Sequence, residues 1–407
     1  MSQVFFQNLT GANCHLSGQT IVTLHVSEDV DADYDTASAV CIAPGGPYAK
    51  GTVVTTTEGG VQTGLWEVED PVISISGEKT WRRREGSDSY AHIPLVSYKL
   101  RRAGYMRARS TLSKQVVGAD NYPPKFCTIS HYNEIDGELR QQYADRIIDG
   151  FEYRKQRSAW HPVYGAEYIV AAIAGWVGLS FTFRARLTGC ADEYIPVDKP
   201  AITAIREVAA WSGASVMLDR SGVLQIFNWE ETFGRGGSQP SLRAVTEYEA
   251  HDGLSSINHV TVVGETYSAR DSKPGWIYYQ PRKTYPLEVT EQLARAPGEM
   301  IVSDRIEVRS YPVTPLVARS IARERLARAY LAANASRWIG PAEGCQGMRP
   351  LENRVLSVTR SLAWNGQAYR YEIAVAAARG AVPFTGGSSS MGMVFPKRPE
   401  LNTDGWW

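Results

Sequence analysis

A β ribbon with two apolar faces follows a short amphipathic helix near the middle of the chain. In residues 200–213 apolar side chains recur at helical spacing, with proline at the start of the segment and glycine at its end. Residues 215–218 and 223–227 are β segments joined by a tight turn at 219–222, whose Asp and Gly favour that conformation. The pattern predicts a helix followed by a hairpin.

This hairpin has few polar side chains on either face, so both faces must be covered. Its own helix can cover one face, and we expect a second domain or another subunit to cover the other. Val216, Leu218 and Phe227 are therefore predicted to bind a partner. The unit contains no catalytic pattern and is interpreted as a scaffold.

Length and charge balance limit the number of domains and the kind of partner. A chain of 407 residues, 43% hydrophobic and 21% charged, predicts about two to four globular domains. Lys plus Arg and Asp plus Glu number 43 each, so the formal net charge is zero. A broad basic field for nonspecific nucleic-acid binding is excluded, whereas passive contact with passing DNA is not.

Neither the start of the chain nor its most apolar run indicates a membrane protein. Residues 1–8 lack the basic start and apolar core of a secretory signal, so we expect folding in a cytoplasm. The most apolar run, 169–181, is about 13 residues long, against the roughly 20 that a membrane-spanning helix needs. It is predicted to be a buried helix or strand pair, and no membrane insertion is expected.

The cysteines are scattered along the chain: Cys14, Cys41, Cys127, Cys190 and Cys345. Their number is odd and no C-x-x-C pair occurs, which favours reduced, mostly buried thiols over a disulfide framework or a metal cluster.

Short β segments separated by Gly, Pro and Asp turns dominate the chain. The predicted fold class is mainly β with a few helices, comprising two tube-like β-barrel domains and an inserted mixed α+β domain. The predicted divisions are a first β-barrel-like domain at 1–110, a mixed α+β domain at 111–265 with the helix-hairpin unit 200–229, a second β-barrel-like domain at 266–385, and a flexible C-terminal tail at 386–407. A further helix is predicted at 137–151.

A second helix-hairpin unit lies within the second β-barrel-like domain. Helix 315–335 has an apolar stripe, and its predicted solvent side carries Arg319, Arg323, Glu324 and Arg328.

The hairpin of this unit, 355–376, turns at an Asn-Gly dipeptide, which is a strong signal for a two-residue turn. Such a turn pairs Leu362 with Tyr369, Val358 with Ile373 and Leu356 with Val375 on the apolar face. A half-buried antiparallel ribbon is predicted.

Local catalytic and ligand patterns are absent. The sequence has no nucleophile elbow, zinc-protease, phosphate-loop or dinucleotide-binding motif, and its seven histidines never fall two or four residues apart. Two closely spaced carboxylate pairs, Glu67 with Glu69 and Glu230 with Glu231, are of the type that a glycosidase uses. No catalytic residue, cofactor or metal is predicted.

Two charged stretches have a simpler interpretation than the site that each imitates. Residues 29–35 alternate aspartates like a calcium loop, but Thr36 and Ile42 stand where an EF-hand has Gly and a carboxylate, so a solvated acidic loop is predicted. Basic residues concentrate at 81–84 and 99–109. Interface arginines or a solvated strand face are favoured there over a nucleic-acid site, because the whole chain is neutral.

Residues 213–226 and the Ala/Arg-rich helix 319–335 before a β ribbon resemble segments of the tail hub proteins of tailed bacteriophages. The resemblance covers about a third of the chain. It implies a structural, non-enzymatic virion protein, a homotrimer whose barrels form a pseudo-sixfold ring around the DNA channel. Its implied partners are a tail tube or distal tail protein, a spike or fibre protein, and passing DNA. The implied location is the virion tail, after synthesis in the bacterial cytoplasm.

Two other functions are compatible with the sequence. One is a carbohydrate-processing or cell-wall-degrading enzyme that uses a carboxylate pair, and the other is a carbohydrate-binding adhesin whose Tyr and Trp residues at 267–284 stack on sugars. The chain ends in Trp406 and Trp407. Because exposed tryptophans are unfavourable in water, one interpretation is an aromatic anchor on a neighbouring subunit, and the alternative is a disordered end.

Overall fold

Fourteen parts of the chain are described by the structure, a computed structural model. They are residues 12–32, 34–74, 95–112, 164–187, 190–191, 198–235, 245–250, 256–267, 284–295, 298–308, 313, 315–341, 345 and 347–385. The helix predicted at 137–151 and the tail at 386–407 lie outside these residues.

The amino-terminal strands close into a six-stranded barrel. They are β1 (His15–Leu16), β2 (Gln19–Asp29), β3 (Thr36–Ile42), β4 (Val53–Glu58), β5 (Val61–Ser74) and β6 (Leu95–Arg102). Their order is β1-β4-β5-β6-β3-β2, and β1 also pairs with β2, which completes the ring. Side chains alternate between the two faces of a strand, so Leu24, Val26, Tyr98 and Leu100 lie in one buried core with Trp66. The predicted mainly β fold is confirmed.

Short helices and strands form the middle of the chain. They are α1 (Tyr105–Ala108), β7 (Tyr164–Gly165), α2 (Ala166–Trp176), β8 (Phe181–Phe183), β9 (Cys190–Ala191), α3 (Ala201–Ala210), β10 (Ser215–Leu218), β11 (Leu224–Phe227) and a π-helical turn (Glu230–Gly234). The predicted helix and hairpin are thus confirmed as α3, β10 and β11. The apolar run forms most of α2, whose Ile169 and Ile173 are fully buried. Outside the prediction, β8 adds a parallel strand beside β11.

Strands and one long helix make up the rest. They are β12 (Glu247–Ala250), β13 (His259–Tyr267), β14 (Thr284–Gln292), β15 (Ser303–Glu307), α4 (Pro315–Ala333), β16 (Ala335–Gly340), β17 (Val355–Trp364) and β18 (Tyr369–Ala378). Strand β17 pairs with β2, so the barrel sheet continues as β2-β17-β18-β16-β12. Strands from before and after residue 110 belong to this one sheet. A domain boundary at 110 would therefore cut through a continuous hydrogen-bonded sheet. The division into domains remains a prediction.

A three-stranded sheet with the order β14-β13-β15 packs against α4. Apolar residues of β13 and β14, including Val260, Val262 and Val289, share one core cluster with Ala318 and Leu326 of α4. Strand β13 is the predicted strand at 256–264, displaced toward the carboxyl end by about three residues.

The pairing predicted for the second hairpin is wrong by two residues. The structure pairs Val358 with Val375, Leu362 with Tyr371 and Trp364 with Tyr369. The turn is longer than two residues, since the Asn365 N–H donates to the Ala368 carbonyl at 3.2 Å. Because side chains alternate with a period of two, an even shift leaves the same face buried, and a half-buried ribbon results as predicted.

Candidate assembly interface

The three predicted partner-binding residues of the first hairpin lie inside the chain. Val216, Leu218 and Phe227 are 4%, 3% and 0% exposed, in one core cluster with residues of α3 and α4. The approach of α4 is close, because a Cβ placed on Gly213 would lie 2.8 Å from the Ser320 carbonyl oxygen. Of the two covers that the sequence allows, a second domain or another subunit, the chain itself supplies one through α4.

Trp406 and Trp407, the other predicted partner-binding residues, lie outside the described residues. The basic stretch 81–84 and residues 268–283 of the Tyr- and Trp-rich segment also lie outside them.

The first carboxylate pair is occupied by structural contacts. Glu67 is 6% exposed and accepts hydrogen bonds from the backbone N–H groups of Gly104 and Met106, both at 2.8 Å. These donors lie at the amino end of α1, where a carboxylate is favoured. Glu69 instead pairs with Arg101 at 2.8 Å. The two carboxyl groups thus stabilise local structure in separate places.

In the second pair, Arg323 of α4 holds Glu230 through two contacts, at 2.6 and 2.9 Å. The backbone N–H of Glu231 donates to the Asn228 side chain at 3.0 Å, which fixes the start of the π-helical turn. Glu230 therefore connects this turn to α4.

The part of the chain that the structure describes contains neither a metal site nor a reactive thiol. No group of three or more His, Cys, Asp or Glu residues there could hold a metal ion. Cys14, Cys41 and Cys345 are buried and form no disulfide, and burial raises the pKa of Cys41 to about 12. A buried thiol with a raised pKa is a poor nucleophile.

The acidic loop between β2 and β3 is only partly solvated, which corrects the prediction. Asp35 is 4% exposed, and its carboxylate accepts two hydrogen bonds from Arg102 at 2.8 and 3.1 Å and one from the Asp29 N–H at 3.2 Å. The buried guanidinium supplies the counter-charge that draws this aspartate inward.

Arginines of α4 join four different elements. Arg319 pairs with Glu291 of β14, Arg323 with Glu230 of the π-helical turn, Arg325 with Asp304 of β15, and Arg328 with Asp31 after β2. Their side chains are 29% to 43% exposed, so each pair contributes little to stability by itself. Together they fix the orientation of α4 relative to its neighbours.

Glu324 was predicted on the solvent side of α4, and the structure places it inside. It is 7% exposed and accepts hydrogen bonds from the Trp229 N–H at 2.7 Å and the Ser215 hydroxyl at 3.3 Å. Burial raises the pKa of Glu324 well above its usual range, although backbone hydrogen bonds oppose the shift. The prediction failed because α4 is covered on two sides, by the first hairpin unit and by the β14-β13-β15 sheet.

Three consecutive apolar residues before β15 are exposed and held in place. Met300, Ile301 and Val302 are 78%, 56% and 41% exposed. The buried Asn258 side chain donates to the Met300 carbonyl at 2.8 Å and accepts from the Val302 N–H at 2.9 Å. Apolar side chains on a fixed backbone are typical of a protein interface. Sequence reasoning missed this apolar triplet, whose only signal is three large apolar residues outside any periodic pattern.

Strand β12 ends the large sheet among the described residues, and all four of its residues are exposed. Tyr248 is 54% exposed and stacks on Trp338 with ring centroids 5.8 Å apart. The acidic residues Glu247 and Glu249 disfavour pairing between two copies of this strand. A different strand, carrying basic residues, would fit the edge better.

A shallow groove of ≈ 690 Å³ crosses the outside of the barrel. Its lining carries both signs of charge, with Lys50, Lys99 and Arg101 beside Glu69 and Asp70. Such a mixed lining gives no preference for an anionic or a cationic ligand.

The comparisons with known proteins give a fold likeness. No family model and no curated protein matches the chain. The crystal structure of the tail protein from Neisseria meningitidis MC58 matches 90% of this chain and 95% of its own, with a TM-score of 0.50 and 10% identity. The chain has a tail-protein fold, as the sequence resemblance predicts.

Two further tail proteins match with lower scores. The 43 kDa tail protein of prophage MuSo2 from Shewanella oneidensis has 11% identity, coverage of 90% of this chain and 98% of its own, and a TM-score of 0.48. The prophage tail protein gp18 from Listeria monocytogenes EGD-e has 8% identity, coverage of 87% of each chain and a TM-score of 0.42. Among the described helices of the present chain, none is long and apolar enough to cross a membrane.

Proposed function

We propose that this chain is a structural hub protein of a phage tail tip or baseplate, which joins the tail tube to the tip or spike. The likeness of fold to the Neisseria tail protein over 90% of the chain is the observation that carries this proposal. The structural contacts of Glu67, Glu69 and Glu230 support a role without catalysis, because these carboxylates already stabilise the fold.

The filled interior of the barrel supports a ring of several copies. Leu24, Val26, Tyr98 and Leu100 pack with Trp66 inside it, so a single barrel offers no passage for DNA. DNA can then pass only through an opening between barrels arranged around an axis. A homotrimer with two β modules per chain supplies such a ring of six modules, and heterologous contacts close it.

Candidate contact surfaces for this ring are the apolar triplet Met300–Val302, the outer edge of β12, and the terminal Trp406 and Trp407. The triplet suits the dry centre of an interface, whereas the β12 edge suits strand pairing. The formal net charge of zero fits a channel through which DNA moves without being held. The proposed location is the virion tail, after synthesis in the bacterial host cytoplasm. There the other partners are a tube or distal tail protein and a spike or fibre protein.

The test is the mass of the purified full-length protein across a concentration series, measured by native mass spectrometry. We expect a species of three times 45.0 kDa that forms as concentration rises. Ile301→Glu places a charge in the triplet and should weaken trimerisation, whereas the control Val72→Glu, on an exposed residue of barrel strand β5, should not. A protein that stays monomeric and is also absent from tail particles when co-expressed with tail proteins would contradict the proposal.

A further inference from the structure

Six ionisable side chains meet in a buried cluster where the barrel contacts β17 and the β10–β11 turn. They are Glu28, Asp35, Glu58, Arg102, Arg220 and Arg360. Five of them belong to the barrel strands, to the β2–β3 loop or to β17, and their side chains are 0% to 4% exposed. Arg220 comes from the β10–β11 turn and is 10% exposed. It is thus the member of the cluster with access to water.

Glu28 is the centre of this charge cluster. Its Oε1 accepts hydrogen bonds from Nη2 of Arg102 at 2.6 Å and Nε of Arg220 at 2.8 Å, and its Oε2 accepts one from Nη2 of Arg220 at 2.6 Å. Arg360 Nη2 lies 3.9 Å from Oε2. One carboxylate therefore faces three guanidinium groups, and Arg220 donates two hydrogen bonds to it.

Two further carboxylates balance the remaining arginines. Asp35 accepts two hydrogen bonds from Arg102, whose guanidinium also stacks over Trp66 at 3.9 Å from the ring centroid. Glu58 accepts from Arg360 at 3.2 Å and from the Thr63 hydroxyl at 2.7 Å. The cluster thus contains three positive and three negative groups when all are ionised.

Other contacts also hold the tip of the β10–β11 hairpin in place. The Leu65 N–H donates to the Arg220 carbonyl at 3.0 Å, and Arg220 Nη2 donates to the Met348 carbonyl. Gly222 lies against the barrel strand end, where a Cβ would be 2.7 Å from the Ala103 carbonyl oxygen. The pair between Arg220 and Glu28 is therefore a charged link between this hairpin tip and the barrel.

Charge balance depends on the docked arginine. If Arg220 leaves, two guanidinium groups face three carboxyl groups, and one proton restores neutrality. If Asp35 takes up a proton first, three guanidinium groups face two carboxylates, and the excess positive charge favours departure of Arg220 into water. By linkage these two statements describe one coupling.

We propose that the charge cluster and Arg220 form a proton-sensitive latch, in which the hairpin tip docks on the barrel while Asp35 and Glu28 are ionised and is released when the cluster takes up a proton.

The carboxyl groups differ in the direction of their pKa shifts. Burial raises the pKa of Asp35 to about 6, despite the charge of Arg102. For Glu28, burial also acts upward, but the hydrogen bond from Arg220 and the charges of Arg102, Arg220 and Arg360 lower its pKa overall. Of these two carboxyl groups, Asp35 is therefore the one whose protonated form is favoured by burial.

Other charged groups lie near the cluster, and Asp29, whose backbone N–H donates to Asp35, also has its pKa raised by burial. Arg349 pairs with Glu352 at 2.6 Å. Asp219 accepts from the Ser221 and Val223 N–H groups at 2.8 and 3.0 Å. Each of these acidic groups already has its own donor.

The sign of the effect differs between docking and global stability. A raised pKa in the folded state means that Asp35 contributes more to global stability as pH falls toward its unfolded value. Docking changes in the opposite sense, because the undocked folded state binds the proton more tightly than the docked one. Acidification should therefore open the latch in a molecule that stays folded.

Hydrogen–deuterium exchange of the full-length protein tests the latch. After correction for intrinsic rates, we expect the turn residues 219–223 to exchange about tenfold faster at about pH 5 than at about pH 7.5, a typical size for coupling between sites. Residues 259–267 of β13 should keep their protection. Equal exchange of the hairpin at both pH values, or a parallel rise in β13 that indicates global unfolding, overturns the proposal.

Two variants and a control separate the latch from general destabilisation. Asp35→Asn keeps the size of the side chain but cannot ionise, so hairpin exchange should be fast at both pH values. Arg220→Met should give the same result by removing the cation. Asp304→Asn breaks a partly exposed ion pair elsewhere and should behave as the parent protein. If Asp35→Asn keeps the pH dependence of the parent protein, the proposal fails. If that variant does not fold, the exchange of Arg220→Met and of the parent protein at the two pH values decides the question.

Discussion

The β10–β11 hairpin follows α3 directly, whereas β16 lies between α4 and the β17–β18 hairpin, and the surroundings of the two hairpins differ. All of β11 and the last three residues of β10 are buried. In β17 and β18 most buried positions alternate with partly exposed ones. The first ribbon is enclosed by α3, α4 and β8, whereas the second forms part of the large sheet and exposes one face. The first hairpin is thus buried on both faces because polar side chains do not alternate with apolar ones along its strands.

The first prediction tests this difference by scanning neighbouring positions in each hairpin. Val216 and Met217 point to opposite faces and are each 4% exposed, so Val216→Ala and Met217→Ala should each lower the free energy of unfolding by about 2 kcal/mol or more. In the second hairpin, Val358→Ala should lower the free energy of unfolding by a similar amount. Thr359→Ala should change it by less than about 0.5 kcal/mol. Urea denaturation measures all four.

A small effect of Met217→Ala would show that one face of the first hairpin is open in solution. In that case a partner would be needed after all to cover that face. Thr359→Ala is the matched control, because it truncates a β-branched side chain on the face of its ribbon that is partly exposed.

The second prediction concerns the close approach of α4 to the first hairpin unit. Gly213 has φ 66°, and a Cβ there would clash with the Ser320 carbonyl oxygen, so Gly213→Ala should lower the free energy of unfolding by about 2–4 kcal/mol. Gly380 has φ 65° and open space around it. Gly380→Ala should therefore show backbone strain alone, about 1 kcal/mol.

The difference between these two variants isolates the contact between the α3 end and α4. Thermal and urea unfolding should give the same order. Equal costs at the two glycines would mean that α4 lies farther from residue 213 than the structure places it.

The third prediction concerns Glu324, a buried carboxyl group of α4 that has no buried counterpart in α3. Its raised pKa means that its contribution to stability is full below the unfolded pKa and is lost as pH rises through the folded value. Glu324→Gln should therefore lose less stability than the parent protein between about pH 5 and about pH 8. Glu207→Gln, which removes an exposed partner of Lys199, is the control and should keep the dependence of the parent. An unchanged pH dependence in Glu324→Gln would show that this carboxyl group is solvated.

Periodicity in the sequence predicts which faces are buried, and it succeeds for α3, β10, β11 and the apolar face of β17. It fails at Glu324 and Asp35, because burial of a charged group depends on donors from distant parts of the chain, Trp229 in one case and Arg102 in the other. It also fails for the register of β17 and β18, since turn length depends on side-chain hydrogen bonds that a dipeptide signal does not specify.

The candidate interface is less predictable than the core. The predicted contact residues of the first hairpin were chosen because they are apolar, and the same property drew them into the core. Met300, Ile301 and Val302 are equally apolar but stay exposed, because Asn258 fixes their backbone at the end of a strand. Only tertiary structure separates these two sets.

The last prediction, with the smallest expected effect, compares the turns of the two hairpins. Asp219 accepts hydrogen bonds from the Ser221 and Val223 N–H groups and from the Gln225 side chain, and its turn is partly buried against the barrel. Asn365 accepts from the Gln367 and Ala368 N–H groups in an exposed turn. Asp219→Ala should therefore lower the free energy of unfolding by about 1–2 kcal/mol and Asn365→Ala by about 0.5–1 kcal/mol, because water can replace the lost acceptor only in the exposed turn. The reverse order in urea denaturation would indicate that the first turn is solvated and that its hairpin tip spends much of its time away from the barrel.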